Sequence, residues 1–300
     1  MKKIYIFILV LVIFFVGIFS YQRNKEAKIL FVGDMNFDRY IRQVGENKGE
    51  DFVFSCLSNF LKDSDVVVGN LEGPITDNPS VSLGSVIDTP QNYTFTFPPS
   101  IAKVLAENNI KIVNLGNNHI SNFGQAGIAS TKKYLKASGV NYLYDDVYRT
   151  KLAGQNISFI SYNEFGGESA EKIAQKILTE KNNGQMVLLY THWGDEYVEA
   201  PQRVKNIAKL FAKSGADLIV GSHPHVILPS EKITSSQPSP YPKERETVVY
   251  YSLGNFIFDQ YWNKAVSTGL VLEVNIKAGT INIVEHKVSL NRDGRTCLIN

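Results

Sequence analysis

The chain has 300 residues, 44% hydrophobic and 20% charged, enough apolar material for an ordinary globular core. Its 31 basic and 29 acidic residues leave a net charge of +2; no basic run stands out, which excludes a nucleic-acid surface. Two cysteines, Cys56 and Cys297, are too few for a cysteine-based zinc site; two unpaired thiols are expected ahead of a disulfide, which an oxidising compartment would permit.

At the N-terminus, Lys2 and Lys3 precede an apolar run from Ile4 to Tyr21, long enough at about 1.5 Å per helical residue to span a bilayer. Small-x-small cleavage residues are missing from Gly17-Ile18-Phe19-Ser20-Tyr21, and no cysteine follows the run. An uncleaved single-pass anchor in the cell membrane is therefore expected rather than a signal peptide. The two lysines would stay in the cytoplasm, leaving everything after Tyr21 outside. Residues 1–27 read as anchor and tether, and residues 28–300 as one domain.

From Lys28 onward, short β-branched runs alternate with helical stretches. Lys28–Val32, Asp65–Gly69, Ile110–Leu115, Val140–Leu143, Ile157–Tyr162, Met186–Thr191, Asp217–Gly221 and Thr247–Leu253 read as strands. Helices are expected at Ser100–Asn108, at Gln125–Ser138 with Gly139 as its stop, and near 168–180 and 201–214. The tail after Thr268 reads as an antiparallel pair turning at Ala278-Gly279. Such alternation predicts a layered α/β domain. Pro74–Pro99 and Pro229–Arg245 are expected to be surface loops.

The polar residues at the strand ends carry the chemistry. In chain order they are Asp34, Glu72, Asn118-His119, His192 and His223-Pro224-His225. In open α/β sheets, ligands gather outside the carboxyl ends of strands, so these distant positions can converge. Four of the five histidines fall in this set, and only His286 lies outside it. Pro224 keeps the His-Pro-His segment out of helix, and in extended chain both imidazoles would project to one side. In extended chain Asn118 and His119 would face opposite ways, which suits one as a ligand and the other as a general acid. Mixed carboxylate and imidazole donors suit Mn, Fe or Zn, as one or two divalent ions. Asn255 ends the last strand on the same edge, and Trp193 is expected to pack. The chain contains no Gly-x-Ser-x-Gly elbow, P-loop or Gly-x-Gly-x-x-Gly.

Seven blocks in order, VGDMNFDR (32–39), NLEGPIT (70–76), YTFTFPPS (93–100), LGNNHISNFGQAG (115–127), HWGDEY (192–197), GADLIVGSHPHV (215–226) and YSLGNFIFD (251–259), resemble the CapA family of poly-γ-glutamate capsule biosynthesis proteins. The resemblance implies a metallophosphatase-like α/β/β/α sandwich behind the N-terminal transmembrane helix. It implies Asp34 and His225 at a first metal, Glu72 bridging, Asn118, His192 and His223 at a second, and His119 as catalytic acid. Asn36, Asp38, Arg39, Asn70, Glu196 and Asn255 are expected around the ligands or against substrate. Asn36 stands where many metallophosphoesterases have a histidine ligand, and Asn122 replaces the aspartate that could orient His119. The implied role is synthesis or export of an anionic polymer beside membrane subunits of a polyglutamate synthase. The rival readings are a phosphoesterase on a phosphorylated extracytoplasmic substrate and a non-catalytic scaffold.

Overall fold

The computed structural model describes residues 25–235 and 245–299. The expected anchor lies outside the described residues, among which no helix is long and apolar enough to cross a membrane. In chain order the first half contains β1 (Ala27–Met35), α1 (Arg39–Lys48), α2 (Ser58–Lys62), β2 (Val66–Leu71), α3 (Ile101–Glu107), β3 (Ile110–Asn114), α4 (Gly124–Ala137), β4 (Asn141–Leu143), β5 (Tyr148–Leu152) and β6 (Gln155–Asn163). The second half contains α5 (Ala170–Asn182), β7 (Met186–His192), α6 (Gln202–Ser214), β8 (Leu218–Ser222), β9 (Ser230–Ser235), β10 (Arg245–Tyr250), β11 (Asn255–Ile257), β12 (Thr268–Lys277), β13 (Thr280–Leu290) and β14 (Thr296–Leu298).

Two mixed sheets stack face to face. The larger runs β14-β13-β12-β1-β2-β3-β4 with β11 also paired to β1, and the smaller runs β5-β6-β7-β8-β10-β9. Parallel pairing links β1 through β4 in one sheet and β6, β7, β8 and β10 in the other. Strands buried on both faces read as near-continuous apolar runs, which is why Val66-Val67-Val68 carries no polar alternation and all of β2 is buried. Phe31 in the larger sheet faces Phe159 and Tyr190 in the smaller, with ring centroids 6.3 and 6.4 Å apart. Outside the larger sheet, Leu30, Val67 and Val113 pack on the side that carries Ile41, Leu105 and Ile128 of α1, α3 and α4. Outside the smaller, Val187, Leu189 and Ile219 meet Ile177 of α5 and Phe211 of α6. The layers are therefore α/β/β/α.

Local chemistry sets the element ends. Asp38 caps α1 by accepting the Arg39 N–H, and Ser169 caps α5. Helix α4 stops at Ser138 followed by Gly139 at φ +73°, and α6 at Gly215 with φ +108°. Gly33 is required for a different reason: an added Cβ would lie 1.9 Å from the Gly254 carbonyl oxygen, where β1 and the segment before β11 run in contact.

Some expectations fail. The stretch 229–245 holds β9 and the first residue of β10 rather than being all loop; residues 236–244 lie outside the described part. Pro74–Pro99 is irregular apart from a 3-10 turn at Pro90–Tyr93 and an isolated bridge between Ile75 and Phe97, and it sends Ile75, Phe95 and Phe97 into the core rather than lying wholly on the surface. Helix α1 and strand β5 were not anticipated. The cysteines are not free: Cys56 and Cys297 form a disulfide across 241 residues, with Cα atoms 4.9 Å apart. The cause is topological, because β14 returns against the 3-10 turn Glu50–Phe54 just ahead of Cys56.

Candidate metal centre

The strand ends converge as the residue pattern predicts. Asp34 lies at the end of β1, Asn70 at the end of β2 with Glu72 just beyond, His192 ends β7, and His223 and His225 follow β8. Asp34, Asn36, Asn70, Glu72, His192 and Asn255 are completely buried, and His223 and His225 are nearly so. Two donor sets share one acid. Asp34, Glu72 and His225 offer ligand atoms within 4.8 Å of one another, and so do Glu72, His192 and His223. His225 places Nδ1 3.4 Å from Asp34 Oδ2 and Nε2 3.6 Å from Glu72 Oε1. Asn118 adds its Oδ1 2.9 Å from His192 Nε2.

The backbone reaches this arrangement by a route unlike the expected one. His223 and His225 are not extended: their φ angles are +97° and +58°, and their ring centroids stand 6.0 Å apart. Left-handed backbone at non-glycine residues costs about 1–3 kcal/mol each and clusters at functional sites. Asn118 and His119 likewise sit in a turn rather than a strand. Asn117 Oδ1 caps that turn, accepting the backbone N–H groups of His119 and Ile120 at 3.1 and 2.9 Å.

A polar network holds the donors. Asn70 Nδ2 donates to Asp34 Oδ1 at 2.8 Å, and its Oδ1 accepts from Asn114 at 3.0 Å and Asn117 at 3.2 Å. The His223 N–H donates to Asp34 Oδ2 at 3.2 Å. Asn255 donates to Gln260 Oε1 and to the Val266 carbonyl, both at 2.9 Å, so its Oδ1 accepts from His225 Nδ1–H at 2.9 Å. That bond leaves His225 Nε2 for the Glu72 side, the orientation typical of a metal-bound histidine. Asn114, Asn117, Ser222 and Gln260 were missed from the sequence. Asn117 had a visible signal, its place inside Gly116-Asn117-Asn118-His119; the others work through contacts across the sheets.

Other expected residues lie around this set. Asn36 Oδ1 accepts the Asp38 N–H at 2.9 Å. Asp38 binds its surrounding loops, accepting from Arg42 at 3.0 Å, Ser80 at 2.6 Å and Thr96 N–H at 2.9 Å. Arg39 pairs with Asp259 and lies over the rings of Phe95 and Phe258. Glu196 is exposed and groups with His223 and His225. His119 packs on Phe95 with ring centroids 4.4 Å apart, and its Nδ1 is 3.2 Å from Asn122 Oδ1, which also accepts the Phe95 N–H at 2.9 Å. The asparagine thus keeps an orienting bond while lacking an aspartate's charge. Trp193 packs as expected, buried with Nε1 donating to the Tyr251 carbonyl at 3.0 Å.

Electrostatics fit a cation. Burial, then the Asp34 charge, pushes the Glu72 carboxyl well above its usual range. Burial also works against ionisation of Asp34, but hydrogen bonds from His225, Asn70 and the His223 backbone hold it low. His225 rises to about 9: burial opposes its charge, and Glu72 and Asp34 outweigh the burial. Burial lowers His223 to about 4 and His192 well below its ordinary value, keeping both rings neutral as metal ligands must be, whereas His225 would release its proton on ligating an ion. His119 is pushed down to about 4, mainly by desolvation. Two buried donor atoms, Glu72 Oε1 and His223 Nδ1, have no hydrogen-bond partner. Unpartnered buried groups of this kind are costly unless an ion satisfies them. The residues present therefore fit a divalent ion held by oxygen and imidazole.

Fold and site together define a two-sheet α/β protein with a carboxylate–imidazole centre at its strand ends. The chain belongs to the bacterial capsule synthesis protein family PGA_cap, whose pattern it matches over residues 28–143 and 145–260. It is similar to the PGA biosynthesis protein CapA of Bacillus subtilis (strain 168), 31% identical over 274 residues, covering 83% of this chain and 68% of that protein. It is also similar to the capsule biosynthesis protein CapA of Bacillus anthracis, 27% identical over 281 residues, covering 84% of this chain and 64% of that protein. Among solved structures, alanine racemase from Acinetobacter baumannii aligns with a TM-score of 0.24 and 12% identity over 66% of this chain and 57% of that one, too weak a likeness to argue from.

Proposed function

We propose that the chain acts outside the cytoplasmic membrane in making or exporting poly-γ-glutamate, through a metal centre built on Asp34, Glu72, Asn118, His192, His223 and His225. The observation that carries the chemistry is the position of Glu72, common to both donor sets. The polymer is taken from the Bacillus subtilis relative, a PGA biosynthesis protein, and the capsule context from the Bacillus anthracis one. The Cys56–Cys297 disulfide supports an oxidising compartment, in keeping with the anchor expected at Ile4–Tyr21.

A bound divalent ion supplies Lewis acidity toward a phosphoryl, carboxylate or amide oxygen and lowers the pKa of bound water. The chain's own residues do the rest. Asp34 and Glu72 bring negative charge into a buried site; Asn70 and Asn255 fix the rings and carboxylates that surround the ion. Asn122 accepts at His119 Nδ1, which leaves His119 Nε2 as the nitrogen to exchange a proton with substrate. Desolvation keeps the His119 ring neutral at pH 7. A cavity of about 200 Å³ opens beside Asn118 and Phe165, lined also by Ser121, Gln125 and Asn163, and gives a substrate chain room next to the centre.

The sharing of Glu72 between two donor sets also favours a second reading, a metal-dependent phosphoesterase, since paired ions clamp both oxygens of a phosphoryl displacement. One experiment separates the readings. The full chain, or its Glu72→Gln form, is supplied to membranes with a γ-glutamate ligase, and released polymer is measured. Polymer with wild type alone supports the metal-dependent role. Equal polymer with both forms would make the chain a scaffold, and phosphate-ester hydrolysis without any effect on polymer would leave the phosphoesterase.

A further inference from the structure

The inner donor set of Asp34, Glu72 and His225 provides three ligands, whereas imidazole–carboxylate ions take four or more. Asn36, two residues past Asp34, does not fill the gap. Its carbonyl is engaged by the Asp38 N–H and its Nδ2 is a buried donor without a partner. Among the described residues, a further carboxylate that groups with the histidines of this centre is Glu196, on the loop after β7. It brings an oxygen within the same 4.8 Å group as donor atoms of His223 and His225.

That loop is tied to the histidine pair at two points. The Tyr197 N–H donates to the Pro224 carbonyl at 2.9 Å. Tyr197 Oη accepts from Gln260 Nε2 at 3.1 Å, Gln260 Oε1 accepts from Asn255 Nδ2 at 2.9 Å, and Asn255 Oδ1 accepts from His225 Nδ1 at 2.9 Å. Tyr197 holds a left-handed backbone, φ +62°, beside His223 and His225 with theirs. His223, 5% exposed with Nδ1 unpartnered, points independently to a missing ligand.

We propose that Glu196 is a metal ligand on the solvent side of this centre, forming with His223 and His225 an outer donor set that adjoins the inner one through His225. The inference rests on the metal-centre reading given above. The loop 194–197 then acts as the outer wall of the site, with Tyr197 and Gln260 as positioning residues.

The test is metal affinity. Full-length protein stripped of metal is titrated with Mn2+ and, separately, Zn2+ by calorimetry, with the Mn2+ spectrum followed by electron paramagnetic resonance, for wild type, Glu196→Gln and Glu72→Gln. Glu196→Gln is expected to weaken binding at least about tenfold, the low end of what loss of even an outer-shell partner costs, and to alter the Mn2+ spectrum. Its metal-free melting temperature should match wild type, because Glu196 is exposed. Wild-type affinity and spectrum in Glu196→Gln, alongside lost binding in Glu72→Gln, would overturn this inference and leave the centre standing. No binding of either ion by wild type would remove the centre and this inference with it.

Discussion

Asn118 Oδ1 lies 2.9 Å from His192 Nε2, joining two strand ends 74 residues apart in sequence. The other nitrogen of that ring decides what the contact means. Ser222 Oγ donates its hydrogen to the Thr191 carbonyl at 2.9 Å, so toward His192 Nδ1 at 3.0 Å it serves as acceptor. Asn70 Nδ2 also lies 3.3 Å from this nitrogen, but with its two hydrogens on Asp34 Oδ1 and Glu72 Oε2, His192 carries its proton on Nδ1, and two lone pairs, one on nitrogen and one on oxygen, face a common point. Nitrogen-15 NMR of the ring should report the Nδ1–H tautomer in metal-loaded protein, and Asn118→Ala should weaken metal binding by about tenfold or more. The Nε2–H tautomer in loaded protein would make the contact an ordinary hydrogen bond.

Close backbone approach makes Gly33 sensitive. Gly33→Ala would set its Cβ 1.9 Å from the Gly254 oxygen, and Gly221→Ala would set one 2.2 Å from the Tyr251 oxygen. Overpacking against backbone costs about 1–3 kcal/mol and sometimes more. Both variants should show a lower denaturant midpoint, and Gly33→Ala should also weaken Mn2+ binding because it displaces Asp34. An unchanged midpoint would mean that the two segments separate without cost.

The disulfide predicts a redox-dependent stability. Thiol titration of the unfolded, unreduced protein should find no free cysteine. Cys56→Ser with Cys297→Ser should lose about 2–5 kcal/mol by denaturant unfolding, with metal affinity preserved, because neither residue touches the centre. Equal stability with and without reductant would argue that the bridge does not form in the protein as made.

Acid stability has a contributor remote from the centre. Glu180, 1% exposed, accepts from Arg149 Nε at 2.7 Å and Ser158 Oγ at 2.7 Å. The Arg149 hydrogen bond, opposed by burial, holds its carboxyl below the usual range. A depressed carboxylate adds stability above its unfolded pKa, near 4.3, and loses it as pH falls through the lower folded value. Glu180→Gln should therefore cost about 1–2 kcal/mol at pH 7, the Arg149 end being half in water. The gap from wild type should close below pH 4 in urea titrations; a gap constant with pH would show that the loss is one of packing.

Much of the centre was legible because parallel strands end together and this chain sets polar residues one to three positions after its apolar strand runs. Asp34 after Ile29–Val32, His192 after Val187–Tyr190 and His223 after Ile219–Val220 show that pattern. The way the histidines meet was not legible. Extended alternation would have paired His223 with His225, whereas the chain turns left-handed at both, a choice imposed by neighbouring segments rather than by local preference. Gln260 and Ser222 escaped notice because their roles depend on partners such as Tyr197 and His192, 63 and 30 residues away. Helix α1 was missed because its inward face offers only Ile41 and Val44 beside Gly45, too sparse a stripe to stand out. Cys297 found its partner through the return of β14, which no spacing rule anticipates.

The family match stops at residue 260, yet the strand bearing Asp34 is flanked on one side by β12, which begins at Thr268. A fragment trimmed to the matched region would leave Lys28–Phe31 with a bare hydrogen-bonding edge in mid-sheet, an invitation to aggregate. The final forty residues are thus the missing half of a wall, and any expression boundary, domain swap or fusion has to keep them attached.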